Sequence, residues 1–243
     1  MLLVSDYDGT YSNNDESIYL NNEAIEKFIK DGNTFVLSSG RSYTSLLKET
    51  IDYGIPYHYL GTNNGNCLFD SNGQLLYSSA IDRDILRSDA FNRMCDMSNR
   101  TRYYYEKVAS DEYYPSRPIN TVVFMVSKRR ITRKTVEALK ELRSEAEDYE
   151  IKDYPYQDVL CFFMKKKDVS KATGVEYLER NLQIPKRDIF TVGDAINDLE
   201  MIREYNGYQI GDRMSLSEVA LDSYDTVHRL VKDIRSNKVK RRY

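Results

Sequence analysis

Apolar residues in this chain gather in short runs that stop at polar or turn residues, and longer stretches of helical spacing lie between them. The first run, Leu2-Leu3-Val4, leads into Ser5-Asp6-Tyr7-Asp8-Gly9-Thr10. A run of that length bounded by turn residues reads as a buried strand. Ile25, Phe28 and Ile29 then recur at helical spacing, with Asn21 or Asn22 placed to cap the helix and Gly32 where a left-handed closing residue is expected. A second buried run at 34–37 ends in Ser38-Ser39-Gly40-Arg41, before a helix marked by Leu46, Leu47 and Ile51 and closed by Gly54 and Pro56. A third strand is expected at 57–60. Asn63-Asn64-Gly65 and Asn72-Gly73 then punctuate β-like runs at 67–69 and 75–77 as hairpin turns would.

Between residues 82 and 164 the rhythm changes to a helix followed by paired strands, twice over. Ile85, Leu86, Phe91 and Met94 mark one helix, and Val136, Leu139, Leu142 and Ala146 the other. Strands are expected at 102–108, 121–126, 149–153 and 159–164. Strand and helix alternation then resumes with a helix at 172–182, a buried strand at 189–192 and a helix through Leu199 and Ile202. The pattern predicts an α/β fold: a Rossmann-like, doubly wound parallel-sheet core at 1–81 and 165–243, with an α+β cap inserted at 82–164.

Charge and cysteine usage narrow the function classes. The 35 Lys and Arg against 38 Asp and Glu leave a net charge of −3, which offers no basic field for nucleic acid or an anionic membrane. Cys67, Cys95 and Cys161 are odd in number and form no CxxC pair, so neither a disulfide framework nor a zinc site is expected, and a reducing, cytoplasmic setting fits. The opening apolar run is too short for a signal peptide, and no run reaches the ~18 apolar residues of a membrane span. The oligomeric state is not encoded in any pattern seen here.

Chemistry gathers at the predicted strand ends: Asp6 and Asp8 after the first, Ser38 and Ser39 after the second, Gly193-Asp194 with Asn197-Asp198 after a late one. Open α/β sheets bind ligands at their carboxyl edge, which brings these residues together. Two carboxylates one residue apart suggest a hard divalent metal, or a nucleophile beside its acid/base partner. Oxygen ligands from Asp6, Asp8 and Asp194, with neither His nor Cys beside them, favour Mg²⁺. Lys171, just before the Ala172 helix, supplies positive charge, and an anion site next to a carboxylate and metal site points to phosphate. Taken singly, each residue has a plainer reading. Ser39, Asn197 and Asp198 could cap helices, Lys171 could be solvated, and Arg41 could be a surface residue or a phosphate contact.

Together these residues resemble a known family. Asp6-Tyr7-Asp8-Gly9-Thr10 resembles the DxDGT first motif of the haloacid dehalogenase superfamily, Ser39 its second motif, Lys171 its third and Gly193-Asp194-Ala195-Ile196-Asn197-Asp198 its fourth, in the right order. Ser39-Gly40-Arg41, Asn64-Gly65, the inserted α+β segment and the stretch ending at Met201 are similar to the Cof-type phosphatases. The resemblance implies that Asp6 is a nucleophile forming an aspartyl-phosphate and Asp8 the acid/base. It implies that Ser39, Lys171 and Arg41 bind the substrate phosphate, and that Asp6, the main-chain carbonyl of Asp8, and Asp194 hold Mg²⁺, supported by Asn197 and Asp198. The family often has Gly-Asn where this chain has Gly211-Asp212, and Asp212 is not counted as a ligand.

The expectation is thus a Mg²⁺-dependent phosphomonoester hydrolase of a small phosphorylated metabolite, such as a sugar phosphate or phosphorylated cofactor. The alternatives are a sugar phosphomutase of the same superfamily or a phospholigand-binding module of low turnover. Asn64 is similar to a residue near the family's site, but Asn64-Gly65 is expected to serve as a turn, His58 and His228 as packing or surface residues, the many tyrosines of the insert as packing, and the basic stretch 238–242 as a frayed, solvated end, with a polyanion contact as the lesser alternative.

Overall fold

The apolar run at the start becomes β1 (Leu2–Asp6), and α1 (Asp15–Lys30), β2 (Thr34–Ser38), α2 (Tyr43–Asp52), β3 (Tyr59–Thr62), β4 (Cys67–Asp70) and β5 (Leu75–Ser78) follow it. The computed structural model describes residues 1–13, 15–212 and 215–243. A second stretch holds α3 (Arg83–Leu86), α4 (Asp89–Met97), β6 (Arg100–Tyr105), β7 (Ala109–Ser110), β8 (Ile119–Ser127), α5 (Arg133–Glu145), β9 (Tyr149–Tyr156) and β10 (Val159–Lys166). The chain ends with α6 (Lys171–Leu182), β11 (Ile189–Gly193), α7 (Leu199–Glu204), β12 (Asn206–Ile210), β13 (Ser223–Tyr224) and α8 (Val227–Arg235). Two compact units result, Met1–Tyr77 with Ser170–Tyr243, and Ser78–Val169.

The first unit is built on an eight-stranded sheet in the order β13-β12-β11-β1-β2-β3-β4-β5. The pairs from β12 to β3 are parallel, and only with β4 does the direction reverse. The chain therefore moves outward from β1 through β2 and β3, then returns to add β11 and β12 on the other side. That reversal at β1 is the switch point where such sheets leave a crevice at their carboxyl edge. The register fixes what meets there: Asp6 stands beside Ser38, and Ser38 beside Gly61.

β1 is buried along its whole length, because helices cover both faces of the sheet. Leu3 packs with Phe28, Phe35, Leu37 and Leu230, while Leu2 and Val4 pack on the opposite face with Val175, Leu178 and Met201. This alternation explains why the strand reads as a continuous apolar run.

Two expectations need correction. Asn21 and Asn22 do not cap α1; the helix begins at Asp15 and both lie in its middle. Asn21 donates to the Tyr11 carbonyl at 2.8 Å and accepts from the His228 backbone N–H at 2.7 Å. Asn22 accepts from the Tyr11 hydroxyl at 2.8 Å and donates to the Tyr53 carbonyl at 2.8 Å. Buried amides are retained only when bonded in this way. The basic stretch 238–242 is not frayed either. The Arg242 guanidinium donates to the carbonyls of Tyr205 at 3.0 Å and Val219 at 2.6 Å, and the Tyr208 hydroxyl donates to the Lys240 carbonyl at 2.5 Å. Arg242 thereby binds the Tyr205 carbonyl just beyond α7 and the Val219 carbonyl further along the chain, a role suited to a cation.

The second unit is a five-stranded antiparallel sheet, β7-β6-β8-β10-β9. Alternate residues of β8, Val122, Phe124 and Val126, join Phe162 and Met164 of β10 against Phe91 and Met94 of α4 and Leu139 and Leu142 of α5. Strand alternation meets helical spacing, which makes an α+β core. Its helical segment at 83–97 is two helices, broken where Ser88 caps α4 by accepting from the Phe91 N–H. Among the described residues, no helix is long and apolar enough to cross a membrane.

Candidate active site

β1 ends at Asp6, and the chain turns at once through Gly9, whose φ of +83° favours glycine. Glycine is also required for space, because a Cβ there would lie 2.6 Å from the Asp194 carboxylate. The turn brings Thr10 to Asp194, with the Thr10 hydroxyl donating to Oδ1 at 3.0 Å. The end of β1 and the end of its neighbour β11 are thus locked side by side. Gly193 allows a second close approach, since a Cβ there would lie 2.4 Å from the Asp198 carboxyl carbon.

Asp6, Asp194 and Asp198 form one buried carboxylate cluster, with an oxygen from each within 4.8 Å of the others. Lys171 lies among them as the first residue of α6, completely buried at its side chain. Its Nζ donates to Asp6 Oδ1 at 2.5 Å and to Asp198 Oδ1 at 2.6 Å. The preceding Ser170 caps α6, accepting from the Ala172 N–H at 3.2 Å, while Thr173 Oγ1 accepts from the Ser170 N–H at 3.0 Å. This reciprocal pairing fixes where the helix starts and so where Lys171 stands. Asp198 is tied on its other oxygen as well, with Oδ2 accepting from the Asp194 and Ala195 N–H groups at 3.1 Å each.

Three carboxylates face one ammonium, and burial with this surplus of negative charge disfavours ionisation of Asp6. Burial pushes the Asp6 carboxyl up to about 7; Lys171 opposes the rise, and Asp198 and Asp194 add to it. Burial works against the Lys171 ammonium, but Asp6 and Asp198 more than offset it and hold its pKa above the ordinary lysine value. A buried surplus of this kind calls for a further cation. Carboxylate oxygens are the ligands of hard divalent ions, so the residues present fit one.

Asp8 contributes no side-chain oxygen to that cluster. Its carboxylate, half exposed, accepts from Ser39 Oγ at 3.1 Å and from Arg41 Nη2 at 2.8 Å. Ser39 itself lies just past β2, fully buried, its N–H bound to the Gly61 carbonyl at 2.9 Å. Arg41 is held from behind by Glu49, at 2.5 Å from Nη1, and lies over the Tyr7 ring at 5.1 Å. The Tyr7 hydroxyl donates to the other Glu49 oxygen at 2.8 Å. The hydrogen bond to Asp8, opposed by partial burial and helped by the charges of Asp8 and Glu49, raises the Arg41 pKa. The site has two compartments, a buried charge cluster and an outer carboxylate with its donors.

The eight residues expected from the sequence therefore sit at the ends of β1, β2 and β11 and the start of α6. Asn197 joins them through Asn64, its Nδ2 donating to Asn64 Oδ1 at 3.1 Å. Asn64 does lie in a turn, which links the antiparallel strands β3 and β4. Sequence reasoning assigned no part to Thr10, Tyr7 or Glu49, and it favoured a turn for Asn64 over a place near the site. Tyr7 and Thr10 carried a signal, since both fall inside the first motif; Glu49, inside a helix, carried none.

The sequence profile of the haloacid dehalogenase-like hydrolases matches residues 3–90 and 86–212. A Haemophilus influenzae protein, provisionally named a phosphatase, is 23% identical over 223 residues, which are 82% of this chain and 80% of that one. A haloacid dehalogenase-like hydrolase from Bacteroides thetaiotaomicron superposes with a TM-score of 0.76 at 16% identity, covering 96% of this chain and 98% of its own. A sugar phosphatase of haloacid dehalogenase subclass IIB gives a TM-score of 0.73 at 18% identity, covering 97% of this chain and 98% of its own. At those identities the solved structures share the fold with this chain.

Proposed function

The chain belongs to the haloacid dehalogenase-like hydrolases, and from that premise we propose that it is a Cof-type, Mg²⁺-dependent phosphomonoester hydrolase working through an aspartyl-phosphate. The observation that carries the reading is the Asp6–Lys171–Asp198 cluster, buried at the switch point of the sheet. Buried charge that contributes little to stability marks a place shaped for chemistry.

In this reading Asp6 Oδ attacks the phosphorus of the substrate as the bond from phosphorus to the ester oxygen breaks. Asp8 gives its proton to the departing oxygen. Water then attacks the phosphorus of the acyl phosphate, Asp8 takes back a proton, and Asp6 leaves as a carboxylate. One group serves both steps because Asp8 regains from the attacking water the proton it gave to the leaving oxygen, and its half-exposed carboxylate is within reach of that water. The Lys171 ammonium and the Ser39 hydroxyl bind phosphoryl oxygens, and Arg41 turns from Asp8 toward the same anion. Asp6, the Asp8 carbonyl and Asp194 would hold Mg²⁺, with Asp198 and Asn197 in support, and the ion would neutralise charge on the phosphoryl group.

The names of the relatives bear on the substrate class. One is provisionally a phosphatase and another a sugar phosphatase, so a small phosphorylated metabolite, a sugar phosphate first, is the substrate proposed for this chain. Hydrolysis of p-nitrophenyl phosphate with Mg²⁺, and its loss in EDTA, tests the reaction; a panel of phosphorylated sugars and cofactors tests the class. Undiminished turnover in EDTA overturns the metal requirement, and absence of turnover on every phosphomonoester overturns the reading.

A further inference from the structure

The turn between β3 and β4 is unusual in its backbone. Three successive residues have positive φ: Asn63 at 53°, Asn64 at 54° and Gly65 at 89°. Asn enters this region more readily than most residues, yet two in a row persist only where the surroundings dictate them. Here the surroundings are the loops of the site. The Asn63 N–H donates to the Arg41 carbonyl at 2.9 Å and the Asn64 N–H to the Ser39 carbonyl at 3.1 Å. Gly65 presses on the start of α6 so closely that a Cβ would lie 1.8 Å from the Ser170 carbonyl oxygen. The Asn64 side chain accepts from Asn197 Nδ2 at 3.1 Å and lies against Gly40, where a Cβ would come within 3.1 Å of the amide.

One turn thus touches the loop bearing Ser39 and Arg41, the residue before Lys171, and the loop bearing Asp194, Asn197 and Asp198. These loops leave the sheet at different strands, and no strand pairing holds them beyond the strand ends. We infer that Asn64 is a positioning residue for phosphoryl transfer: its backbone N–H holds the Ser39 loop while its side-chain amide holds the Asn197 loop, which sets the spacing of the groups around the phosphoryl oxygens. Asn64 itself touches neither Asp6 nor Lys171 in any contact described above. The inference rests on the hydrolase reading given under the proposed function.

The test uses the full chain, p-nitrophenyl phosphate and Mg²⁺. Asn64→Gly keeps the left-handed backbone accessible and removes only the amide. A displacement of ~1 Å in a reacting group costs up to about 10²-fold, so kcat should fall about tenfold or more while KM and the melting temperature stay close to wild type. Asn64→Asp retains an acceptor for Asn197 Nδ2 and should restore most of the rate. Asn197→Ala, which also removes a support of the Mg²⁺ site, should cost at least as much, and adding Asn64→Gly to it should cost little more, because the Asn64 amide has by then lost its partner. If Asn64→Gly fails to fold, Asn197→Ala and Asn64→Asp still carry the comparison. A kcat for Asn64→Gly within about twofold of wild type, or losses that simply add, overturns the inference and leaves the hydrolase reading standing. A wild type without turnover removes that reading, and the inference with it.

Discussion

In the first unit Asp6, Lys171, Asp194 and Asp198 are each no more than 4% exposed, whereas none of the Asp, Glu, Lys or Arg side chains of Ser78–Val169 is buried. The two units solve the same problem, covering a sheet with helices, by different means. Most ion pairs of the inserted unit lie at exposed side chains, as Arg93 with Glu141, Arg100 with Asp111, and Arg133 with Glu137 do, and its most covered pair, Lys165 with Glu150, still keeps 18% and 27% of its side chains exposed. Its interior is mostly apolar, with Asn120, Thr121 and Thr135 as its buried polar residues and the Nε of the half-buried Arg102 covered beside them. The first unit instead concentrates unlike and like charges where three strands end. Desolvating them offsets most of what their attraction returns, so the cluster is accounted for by function more readily than by stability.

The largest effect that would sharpen this contrast is expected from Asp6→Asn. If Asp6 is the nucleophile, turnover of p-nitrophenyl phosphate should drop by at least about 10⁴-fold. The same change removes one of three crowded carboxylates, so without divalent ions the melting temperature should be no lower than wild type. A variant that is both active and destabilised would erase the distinction between the units.

Lys171→Met tests the other side of the cluster. It leaves Asp6 and Asp198 without their cation at 2.5 and 2.6 Å, and stripping one partner from a buried charge pair costs about 3–5 kcal/mol. Urea unfolding in EDTA measures the loss, and added Mg²⁺ should recover part of it by binding the carboxylates. A loss below about 1 kcal/mol would mean the ammonium is not needed to hold the carboxylates together.

Leu142→Ala applies a purely apolar cut to the inserted unit. The side chain is fully buried between α5 and the sheet, so a loss of about 2–5 kcal/mol is expected on urea unfolding. Unlike Lys171→Met, this loss should not respond to Mg²⁺. A Mg²⁺-dependent change would contradict the assignment of cation binding to the first unit.

How much of this was legible in the sequence follows the same division. β1, β2 and β11 announced themselves, because strands buried on both faces must be apolar throughout and must stop where the chain meets solvent or ligand. The polar residues after them could be read as site residues for that reason. The alternation of β8 and the spacing of α5 made the inserted unit readable as an α+β segment. What escaped were side chains whose partners are remote in sequence. Asn21 and Asn22 look like a cap signal until their bonds to Tyr11 and His228 are seen. Asn64 looks like an ordinary turn residue until Asn197, 133 positions away, meets it. Arg242 looks like part of a solvated tail, yet its fork finds the carbonyls of Tyr205 and Val219. Local patterns record which face is buried; they do not record which polar group closes which gap.

The smallest effect probes a rim charge in the inserted unit. The Asp82 carboxylate accepts from the Tyr149 hydroxyl at 2.5 Å and lies 3.5 Å from Lys166. Its pKa is lowered from 3.8, by the Tyr149 hydrogen bond first, against a small contribution from burial, with help from Lys166. A group whose folded pKa is depressed adds stability above its unfolded value and loses it as pH falls through the folded value. The contribution of this pair should therefore be complete at pH 7 and fade as pH drops below about 4. Because 68% of the Asp82 side chain is exposed, water screens the pair, and Tyr149→Phe should cost no more than about 1 kcal/mol at pH 7. Denaturation at pH 7 and at pH 3 measures the difference, which should be smaller at the lower pH. A cost that matches Lys171→Met, or one that grows in acid, would mean that the inserted unit also depends on a buried charge, and the contrast between the two units would fail.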